Sequence, residues 1–419
     1  MELAQWLEYI EKQHPGSIEL GLERVSGVAE RLGLQRPAQQ VVTIAGTNGK
    51  GSTAAFVEAI ARAGGWKVGV YTSPHLLRYN ERVRIDGEEA DDDALAAAFA
   101  AVEAARGDIP LTYFEYGTLA ALWLFQRSGL DLAVLEVGLG GRLDAVNIID
   151  PDVAVITTVD IDHTDWLGGD REAIGREKAG IARAWKPLVL GEVDAPSSVL
   201  AHAYAIGAGV VQSGNDFFHE AVDAAHWRWR EVGAELLLPR PQLAAPAQRA
   251  NAASAIAALR ALPRALPEHA FAEGVAAAQV QGRLQRFGRD GIEVVVDVAH
   301  NPQAVRGLAE WLRADPPAGA TAVVFAALAD KDAAAMVEAL APAVSRWHLA
   351  GLEGTPRAQD VDAFAARLAG TAAAAGSRDG SVQAALQRAL AAARPGDRVL
   401  VFGSFHTAAA AIAMLRSGR

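Results

Sequence analysis

The chain has 419 residues, of which 51% are hydrophobic and 21% charged, as expected for a globular protein with two or three domains. Its formal net charge of −11 argues against a sequence-independent nucleic-acid binder, because such a protein needs a basic face. The sequence contains no cysteine, which excludes disulfides, thiolate zinc sites and cysteine nucleophiles and fits a cytoplasmic protein.

The N-terminal segment begins with Met1 to Gln5, which lacks the basic start and apolar core of a signal peptide. No apolar run reaches about 18 residues, so no membrane span is expected. Residues 3–13 are predicted to form a short amphipathic helix that stops at His14-Pro15-Gly16, and residues 22–33 are predicted to form a second helix.

An apolar run from Val41 to Ala45 is predicted to be a strand that leads through a glycine-rich loop into a helix. The loop reads Gly46-Thr47-Asn48-Gly49-Lys50-Gly51-Ser52. Glycines let backbone N–H groups face an anion, the helix N-terminus adds partial positive charge, and Lys50 can reach phosphate oxygens. Ser52 or Thr53 could hold Mg²⁺ through its hydroxyl. The glycine spacing is shorter than in a Walker A loop, and a plain glycine-rich turn is the alternative interpretation.

The next predicted strand, residues 67–71, ends in Ser73-Pro74-His75-Leu76, where a parallel sheet would present groups to a ligand. From the pattern alone, the serine of this run is an ordinary turn residue. Residues 82–85 alternate like an exposed strand, and helices are predicted near residues 91–106 and 115–128.

A buried strand over residues 130–137 carries Glu136 near its end, ahead of a second glycine-rich loop from Gly138 to Asp144. An acid at this position can bind or orient Mg²⁺ beside a phosphate loop, and a capping or solvated carboxylate is the alternative. The next buried strand, residues 153–159, runs into a loop that contains Asp160, Asp162, His163 and Asp165. Dense acids at a strand end favour a metal or catalytic role for His163, whereas a lone histidine is more often structural.

A helix near residues 170–183 contains Lys178, which the pattern alone makes a solvated lysine. Repeated strand-then-helix units with nearly continuous apolar strands predict a mostly parallel sheet that is covered on both faces. Residues 209–240 instead suggest antiparallel hairpin strands, and a helical stretch over residues 247–278 carries Asn251.

A fresh α/β series begins at Ile292, with strands predicted near residues 292–297, 321–326, 345–350 and 397–403. Two of these strands end in histidine-containing loops, Asp297 to Pro302 and Gly403 to Thr407. Such loops at the carboxyl edge of a parallel sheet favour a ligand site, with polar loop caps as the alternative. The predicted domain boundary lies near residue 284.

Together these motifs resemble the folylpolyglutamate synthase/dihydrofolate synthase family of the Mur-ligase superfamily, from about residue 6 to the C-terminus. The matching motifs are residues 46–52, 73–76, 135–144, 162–165, 177–180, 297–302 and 403–407. The resemblance implies an α/β fold of Mur-ligase type. A P-loop domain with a mostly parallel sheet would occupy residues 1–284, and a smaller Rossmann-like glutamate-ligase domain would occupy residues 285–419.

The resemblance also assigns site residues. The residues implied for ATP are Thr47, Asn48, Gly49, Lys50, Gly51, Ser52 and, at the domain junction, Asn251, Arg283 and Asp297. Those implied for Mg²⁺ are Ser73, Glu136 and His163, so Ser73 rather than Ser52 is the serine expected on the metal. Those implied for dihydropteroate are Ser17, Ile18, Glu19, Leu20, Thr112 and Phe114, and those for the incoming glutamate are His300 and Ser404. The implied catalytic residues are Lys50, His163, His300 and Lys178, which would be carbamylated rather than solvated.

The implied activity is ATP-dependent amide ligation in folate biosynthesis and one-carbon metabolism. One reaction adds L-glutamate to dihydropteroate, and a second adds further glutamates to tetrahydrofolates, each through an acyl phosphate and with release of ADP and phosphate. Lys50 and Mg²⁺ would stabilise charge on the transferred phosphoryl group, and His300 is a candidate base for the amine. Closure of the two domains over ATP would exclude water.

Three alternatives remain open. A monofunctional folylpolyglutamate synthase would share the same motifs. Another Mur-type amino-acid ligase is disfavoured because the phosphate-loop strand begins by residue 43, which leaves no room for an extra uridine-nucleotide-binding domain. A nucleotide-dependent switch or assembly ATPase would not need a second α/β domain with polar strand-end loops. The expected partners are small molecules, without nucleic acid or membrane, and the chain is expected to be a monomer.

Overall fold

The computed structural model describes residues 1–14, 19–243, 245–354 and 357–417. The chain divides into two compact units, Met1–Gln242 with Gln248–Gln279, and Leu243–Ala247 with Val280–Arg419. The main part of the second unit therefore starts at Val280, where the sequence analysis expects residue 285. Within the described ranges, no helix combines the length and the apolar character that crossing a membrane would require.

The first unit contains a large sheet, a small sheet and flanking helices. Its strands are β1 (Gln40–Ala45), β2 (Val68–Tyr71), β3 (Val83–Ile85), β4 (Glu88–Glu89), β5 (Leu132–Glu136), β6 (Val153–Ile156), β7 (Pro187–Leu190), β8 (Gly209–Gln212), β9 (Phe217–Ala221), β10 (His226–Glu231) and β11 (Ala234–Pro239). Its helices are α1 (Leu3–Glu11), α2 (Glu23–Arg31), α3 (Lys50–Ala63), α4 (Asp92–Arg106), α5 (Tyr113–Phe125), α6 (Thr164–Leu167), α7 (Arg171–Ala179), α8 (Ser197–Ile206), α9 (Ala247–Arg260) and α10 (His269–Ala277).

The large sheet has the strand order β4-β3-β2-β5-β1-β6-β7-β8, and it is parallel from β2 to β8. β3 and β4 form an antiparallel edge. All residues of the central strand β1 are buried, as expected when helices cover both faces of a parallel sheet. Parallel pairing puts the carboxyl ends of β2, β5, β1 and β6 at one edge, where ligands bind in open α/β sheets. The predicted mostly parallel sheet is confirmed.

The small sheet is antiparallel, in the order β11-β10-β9. The hairpin predicted in this region is present as β10 and β11, and Trp227 and Trp229 of β10 point to the buried side. The helical stretch predicted over residues 247–278 is divided into α9 and α10, because Pro263 and Pro267 in the connection cannot continue a helix.

The second unit contains one six-stranded sheet in the order β12-β13-β17-β14-β15-β16. Its strands are β12 (Gln285–Arg289), β13 (Ile292–Val296), β14 (Thr321–Phe325), β15 (Arg346–Ala350), β16 (Ser377–Asp379) and β17 (Arg398–Phe402). Its helices are α11 (Pro302–Ala314), α12 (Ala333–Leu340), α13 (Val361–Arg367), α14 (Val382–Ala392) and α15 (Phe405–Ser417). β12 pairs antiparallel with β13, and the other pairs are parallel. The four strands that the sequence analysis predicts here are β13, β14, β15 and β17.

Gly274→Ala should lower the free energy of unfolding by about 2 kcal/mol, since α10 packs on α3 through this glycine. A Cβ atom at Gly274 would lie 2.3 Å from Cα and 2.5 Å from N of Ile60, and these backbone atoms cannot move aside cheaply. The matched control is Gly307→Ala in α11, where the added Cβ would have no atom within 4 Å. This control should gain about 0.5–1 kcal/mol of stability. Urea unfolding measures both variants, and an unchanged midpoint for Gly274→Ala would contradict the close packing.

Candidate active site

The glycine-rich loop after β1 turns directly into α3. Gly46 has φ 150° and the N-cap residue Gly49 has φ 90°, values that favour glycine. The first bond of the helix runs from Thr53 N to Gly49 O at 2.8 Å. The N–H groups of residues 49–52 therefore form a helix N-terminus, where they have no acceptor within the helix. This arrangement agrees with the anion cradle that the sequence predicts.

The first half of the loop is held by its neighbours. Lys50 Nζ donates to the carbonyl oxygens of the first two loop residues, at 3.0 and 3.4 Å. On the other side, Thr47 N donates to Thr158 O at 2.8 Å, and Asn48 N donates to Thr158 Oγ1 at 3.1 Å. Thr47 Oγ1 also exchanges two 3.0 Å hydrogen bonds with the backbone of Asp160. The backbone N–H groups of Thr47 and Asn48 thus serve the loop itself, and the remaining donors for an anion lie at residues 49–52.

Thr157 is a site residue that the sequence analysis did not single out. It follows β6, is buried, and donates from Oγ1 to Asn48 O at 2.6 Å. It also lies so close to the loop that a Cβ atom at Gly46 would be 1.8 Å from its Oγ1. The sequence could have indicated Thr157 by its position, because it directly follows a buried strand at the edge of the sheet where ligands bind.

Asn251 of α9 lies against the same loop. A Cβ atom at Gly49 would be 2.5 Å from Asn251 Oδ1, so this amide lies directly against the glycine. Asn251 Nδ2 donates to Gln248 Oε1 at 3.0 Å, and both side chains are buried. The structure therefore brings this predicted ATP residue next to the loop.

Ser73 and Glu136 lie together beside the first turn of α3. Glu136 ends β5, the strand next to β1, and is buried. Its Oε2 accepts a hydrogen bond from Ser73 N at 3.1 Å. A Cβ atom at Gly51 would be 3.7 Å from the same oxygen. Two of the three predicted metal ligands are therefore neighbours.

Buried hydroxyls at the start of α3 suit a bound nucleotide and metal ion. In the described part of the chain, the side-chain oxygens of Ser52 and Thr53 are buried and have no hydrogen-bond partner. Such atoms are costly unless a ligand satisfies them. Across the described ranges, no three His, Cys, Asp or Glu side chains converge as a metal site. A metal ion here would thus complete its shell with phosphate, water or hydroxyl oxygens, as Mg²⁺ usually does.

His163 follows β6 at the same edge of the sheet. It is the N-cap residue of α6 and adopts a left-handed backbone conformation with φ 53°. Its N–H group donates to Asp162 Oδ1 at 2.8 Å. Because β6 and β5 flank β1 on opposite sides, His163 and Glu136 come from strands on either side of the glycine-rich loop.

Lys178 of α7 is 3% exposed, so the solvated lysine suggested by the pattern alone is wrong. Burial lowers its pKa to about 7, and the nearby charge of Lys50 acts in the same direction. The carboxylates of Asp162, Asp144 and Glu192 oppose this shift without reversing it. The helical pattern could not show the burial, because a local pattern does not say what a helix packs against.

Two acids near Lys178 also have shifted pKa values, and the sequence analysis gave neither a role. Burial raises the pKa of Asp144 to about 7, although its Oδ2 accepts from Leu139 N at 2.8 Å and its Oδ1 from Val146 N at 3.1 Å. Burial likewise raises the pKa of Glu192 to about 7, although it accepts from Val159 N at 3.1 Å. Perturbed groups concentrated at one sheet edge are typical of a functional site.

The residues predicted to line a pteroate site are partly brought together. Arg24 bonds Glu19 and, at 3.1 Å, Glu115, whose Oε2 accepts from Thr112 N at 2.8 Å. Arg24 and the buried Glu115 thus connect Glu19 to Thr112. Leu20 is next to Glu19 in the sequence. Ser17 and Ile18 lie outside the described residues.

Phe114 lies near Glu136, one of the predicted metal ligands. Its ring centroid is 5.8 Å from that of Tyr71, at the end of β2. A Cβ atom at Gly138 would be 2.7 Å from Phe114 Cζ, so the ring rests on the backbone two residues beyond Glu136. This aromatic surface is positioned by a glycine in the second glycine-rich loop.

In the second unit, Asp297 and His300 follow β13, and Ser404 follows the paired strand β17. Arg283 lies just before β12. Asp297 accepts from Leu284 N and Ala299 N, both at 2.8 Å, and burial raises its pKa. The Phe405 ring centroid lies 5.5 Å from the guanidinium carbon of Arg283 and 5.9 Å from the His300 ring.

Ser404 and His300, in the loops after β17 and β13, make hydrogen bonds within their own loops. Ser404 Oγ accepts from Thr407 N at 3.0 Å at the start of α15. His300 Nδ1 lies 2.9 Å from Val298 O. Lys331, which the sequence analysis did not single out, is buried after β14 at the same sheet edge. The structure therefore groups Arg283, Asp297, His300 and Ser404 within this unit.

Comparison with known proteins matches two domain families to this chain. Residues 44–236 match the Mur ligase middle domain, and residues 282–405 match the Mur ligase, glutamate ligase domain. The dihydrofolate synthase/folylpolyglutamate synthase of Escherichia coli is 48% identical over 97% of this chain and 94% of its own length.

Two solved structures are also similar. The Escherichia coli FolC complex with DHPP and ADP is 47% identical, with a TM-score of 0.94 over 100% of this chain and 99% of that chain. A bifunctional folylpolyglutamate synthase/dihydrofolate synthase with Mn, AMPPNP and L-glutamate bound is 45% identical, with a TM-score of 0.92 over 99% of this chain and 98% of that chain.

The two domain models and the strand-end site define an ATP-dependent ligase of the Mur type. At 48% identity over nearly its whole length, the chain belongs to the dihydrofolate synthase/folylpolyglutamate synthase family. The family, fold class and ligase activity predicted from the sequence are confirmed. The predicted cofactors, ATP with a divalent cation, agree with the nucleotides and Mn bound in the related structures.

Lys178→Met should raise the free energy of unfolding more at pH 6 than at pH 9. The folded-state pKa of Lys178 is about 7, whereas an unfolded lysine titrates near about 10.4. Between these values the unfolded chain binds the extra proton, so this lysine's destabilising effect is complete below pH 7 and fades as pH rises. Urea unfolding in bicarbonate-free buffer measures the difference. Exposed Lys67→Met is the control, and an equal gain at both pH values for Lys178→Met would contradict the shifted pKa.

Proposed function

We propose that this chain joins L-glutamate to the carboxyl group of dihydropteroate and adds further glutamates to tetrahydrofolates, with conversion of ATP to ADP and phosphate. The observation that carries the proposal is the edge of the first sheet, where a glycine-rich helix N-terminus meets Glu136, Ser73 and the buried Lys178. The expected setting is a cytoplasmic monomer, and sedimentation velocity would test the oligomeric state.

The proposed phosphate site is the first turn of α3. The N–H groups of residues 49–52 and the positive end of the helix favour an anion. Lys50 would exchange its bonds to loop carbonyls for bonds to phosphate oxygens, and Asn251 borders the same loop. Arg283 and Asp297 remain proposed ATP contacts of the second unit.

The proposed metal ligands are Ser73, Glu136 and His163. When bound, a divalent cation would polarise the phosphoryl oxygens and stabilise their developing charge. The protein contributes by holding Glu136 against Ser73 N at 3.1 Å, which fixes the direction of the carboxylate.

Lys178 is proposed to be carbamylated. Carbamylation needs a neutral amine that attacks the carbon of CO₂, forms an N–C bond and loses one proton. Burial supplies this neutral form near pH 7, because it lowers the pKa of the lysine to about 7. The product is an anion with carboxylate oxygens in place of a buried cation.

The proposed reaction has two steps. The substrate carboxylate attacks the γ-phosphorus of ATP, and an acyl phosphate forms as the bond to the bridging oxygen breaks and ADP leaves. The amine of glutamate then attacks the acyl carbon, and the tetrahedral intermediate expels phosphate to give the amide. Activation is needed because a free carboxylate is a poor acyl donor. Lys50 would offset negative charge in the first step.

Phe114 is proposed to support the pteridine or benzoyl rings of the acceptor. Its ring already rests on the backbone at Gly138, so stacking would cost it little conformational freedom. Glu19, Leu20 and Thr112 remain proposed neighbours of this acceptor.

His300 and Ser404 are the proposed glutamate residues, and buried Lys331 is a further group at the same sheet edge that would suit a carboxylate. The attacking amine must be neutral. A bond from His300 Nδ1–H to Val298 O, 2.9 Å away, fixes the tautomer whose Nε2 can accept a proton.

Phosphate release from ATP should require an acid and an amine together, and this experiment tests the function directly. Wild-type protein with ATP is assayed with dihydropteroate plus glutamate and with each omitted, then again with tetrahydrofolate. Release with both acceptors supports the two activities, and release with tetrahydrofolate alone supports the monofunctional alternative. Release from ATP alone would contradict the ligase and favour a nucleotide switch.

In the same assay, Lys50→Ala should abolish turnover, because it removes the charge proposed to offset that of the phosphates. The protein should still fold cooperatively, since the two hydrogen bonds from Lys50 Nζ go to carbonyls of the glycine-rich loop itself. The matched control is Lys67→Ala, an exposed lysine ahead of β2, which should keep normal turnover. Near-normal activity of Lys50→Ala would refute the phosphate role.

His300→Ala should lower kcat by roughly 100-fold at saturating glutamate, since it removes the proposed proton acceptor. The KM for ATP should change little. Exposed His269→Ala on α10 is the control. Intact turnover of His300→Ala at saturating glutamate would eliminate the histidine as the base.

A further inference from the structure

The carbonyl groups of the glycine-rich loop do not all point in one direction. The carbonyls of Gly46 and Thr47 face Lys50 Nζ, at 3.0 and 3.4 Å. The next carbonyl, that of Asn48, faces away and accepts from Thr157 Oγ1 at 2.6 Å. The peptide plane between residues 48 and 49 is therefore turned over relative to the two planes before it.

This reversal decides what the loop presents to an anion. Across a trans peptide the C=O and N–H groups point in opposite directions. Holding the Asn48 carbonyl toward Thr157 consequently directs the Gly49 N–H to the side on which Lys50 lies. If the plane flipped back, a carbonyl oxygen would replace that N–H and would repel a phosphate.

The backbone at Gly49 is flexible enough for that flip, so a hydrogen bond to Asn48 O is needed to prevent it. Gly49 has φ 90° and no Cβ atom, which leaves its backbone freer than that of any other residue. Thr158 Oγ1 is a weaker restraint, since it lies 3.3 Å from Asn48 O and also accepts from Asn48 N. The short bond from Thr157 is the stronger restraint on this carbonyl.

Thr157 is also fixed in place. It is buried, its N–H donates to Ala45 O at 3.0 Å, and its Oγ1 lies 3.3 Å from the same oxygen. The absence of a side chain at Gly46 leaves the space that its hydroxyl occupies. A hydroxyl held by strand β6 can therefore set the orientation of a peptide in the loop after β1.

We propose that Thr157 is a positioning residue that keeps the Asn48–Gly49 peptide turned with its N–H toward the nucleotide phosphates. The inference rests on the proposed function, because it assumes that the phosphates bind at the first turn of α3. In this proposal Thr157 acts through the loop, by its bond to Asn48 O, and not by contact with ATP or the reacting carboxylate. Its effect should thus appear in nucleotide affinity and not in the handling of glutamate.

The test compares Thr157→Val with Thr157→Ser and Thr43→Val. Thr157→Val keeps the shape and removes the hydroxyl, whereas Thr157→Ser keeps the hydroxyl. Thr43 lies in β1, is fully buried, and among the described residues its hydroxyl has no hydrogen-bond partner. Thr43→Val is therefore the same chemical change at a neighbouring buried position where no bond is lost.

We expect Thr157→Val to weaken ADP binding, measured by calorimetry, and to raise the KM for ATP, each by about tenfold. The KM for glutamate should stay within about twofold of wild type, as should ADP binding by Thr157→Ser and by Thr43→Val. If Thr157→Val does not fold, Thr157→Ala takes its place, with folding checked by urea unfolding without nucleotide.

Unchanged ADP affinity in Thr157→Val would overturn the inference. Equal losses in Thr157→Val and Thr157→Ser would overturn it as well, because the hydroxyl would then not be responsible. Failure of the wild-type protein to bind ADP would instead contradict the proposed function, so the two failures are distinguishable.

Discussion

The position of β1 at the centre of a parallel sheet constrains everything at the candidate site. Every residue of this strand is buried, and because β1 runs parallel to β5 and β6, the three strands end at the same carboxyl edge. The loop that follows must satisfy its backbone groups without help from a ladder. It does so with Thr157, Thr158 and Asp160 from the end of β6 and with its own Lys50. The strand order therefore brings the predicted metal ligands and the residues that bind the loop to the same edge of the sheet.

The same edge concentrates ionisable groups that are buried, as Lys178 and Asp144 are, or partly buried, as Glu192 is. Lys178, Asp144 and Glu192 all have pKa values of about 7, the lysine lowered and the acids raised by burial. Each shift reflects the cost of keeping an ion away from solvent, and a fold that served stability alone would place apolar side chains there. The site is therefore poised to change its charge near neutral pH, and a carbamate on Lys178 would convert a buried cation into an anion beside the proposed metal ligands.

Much of this architecture is readable from the sequence because it depends on local patterns. Apolar strands, strand-then-helix order and the glycine-rich loop predict the parallel sheet correctly. β12 and β16 could not be read this way, since one carries Gly288 and three polar residues and the other is three residues long. The burial of Lys178 and the contact of Asn251 with Gly49 depend on long-range packing, which no local period encodes. Family resemblance supplied these residues where pattern could not.

The short glycine spacing of the loop follows from this packing. Gly46 must leave room for Thr157, and Gly49 must leave room for Asn251, so each glycine accommodates a side chain from another element. A loop with only two residues between these glycines has too few peptides to surround a phosphate by itself. The N–H groups of Thr47 and Asn48 already bind Thr158. The first turn of α3, the end of β6 and α9 consequently all shape the loop, and a phosphate bound there would depend on side chains that position the backbone donors.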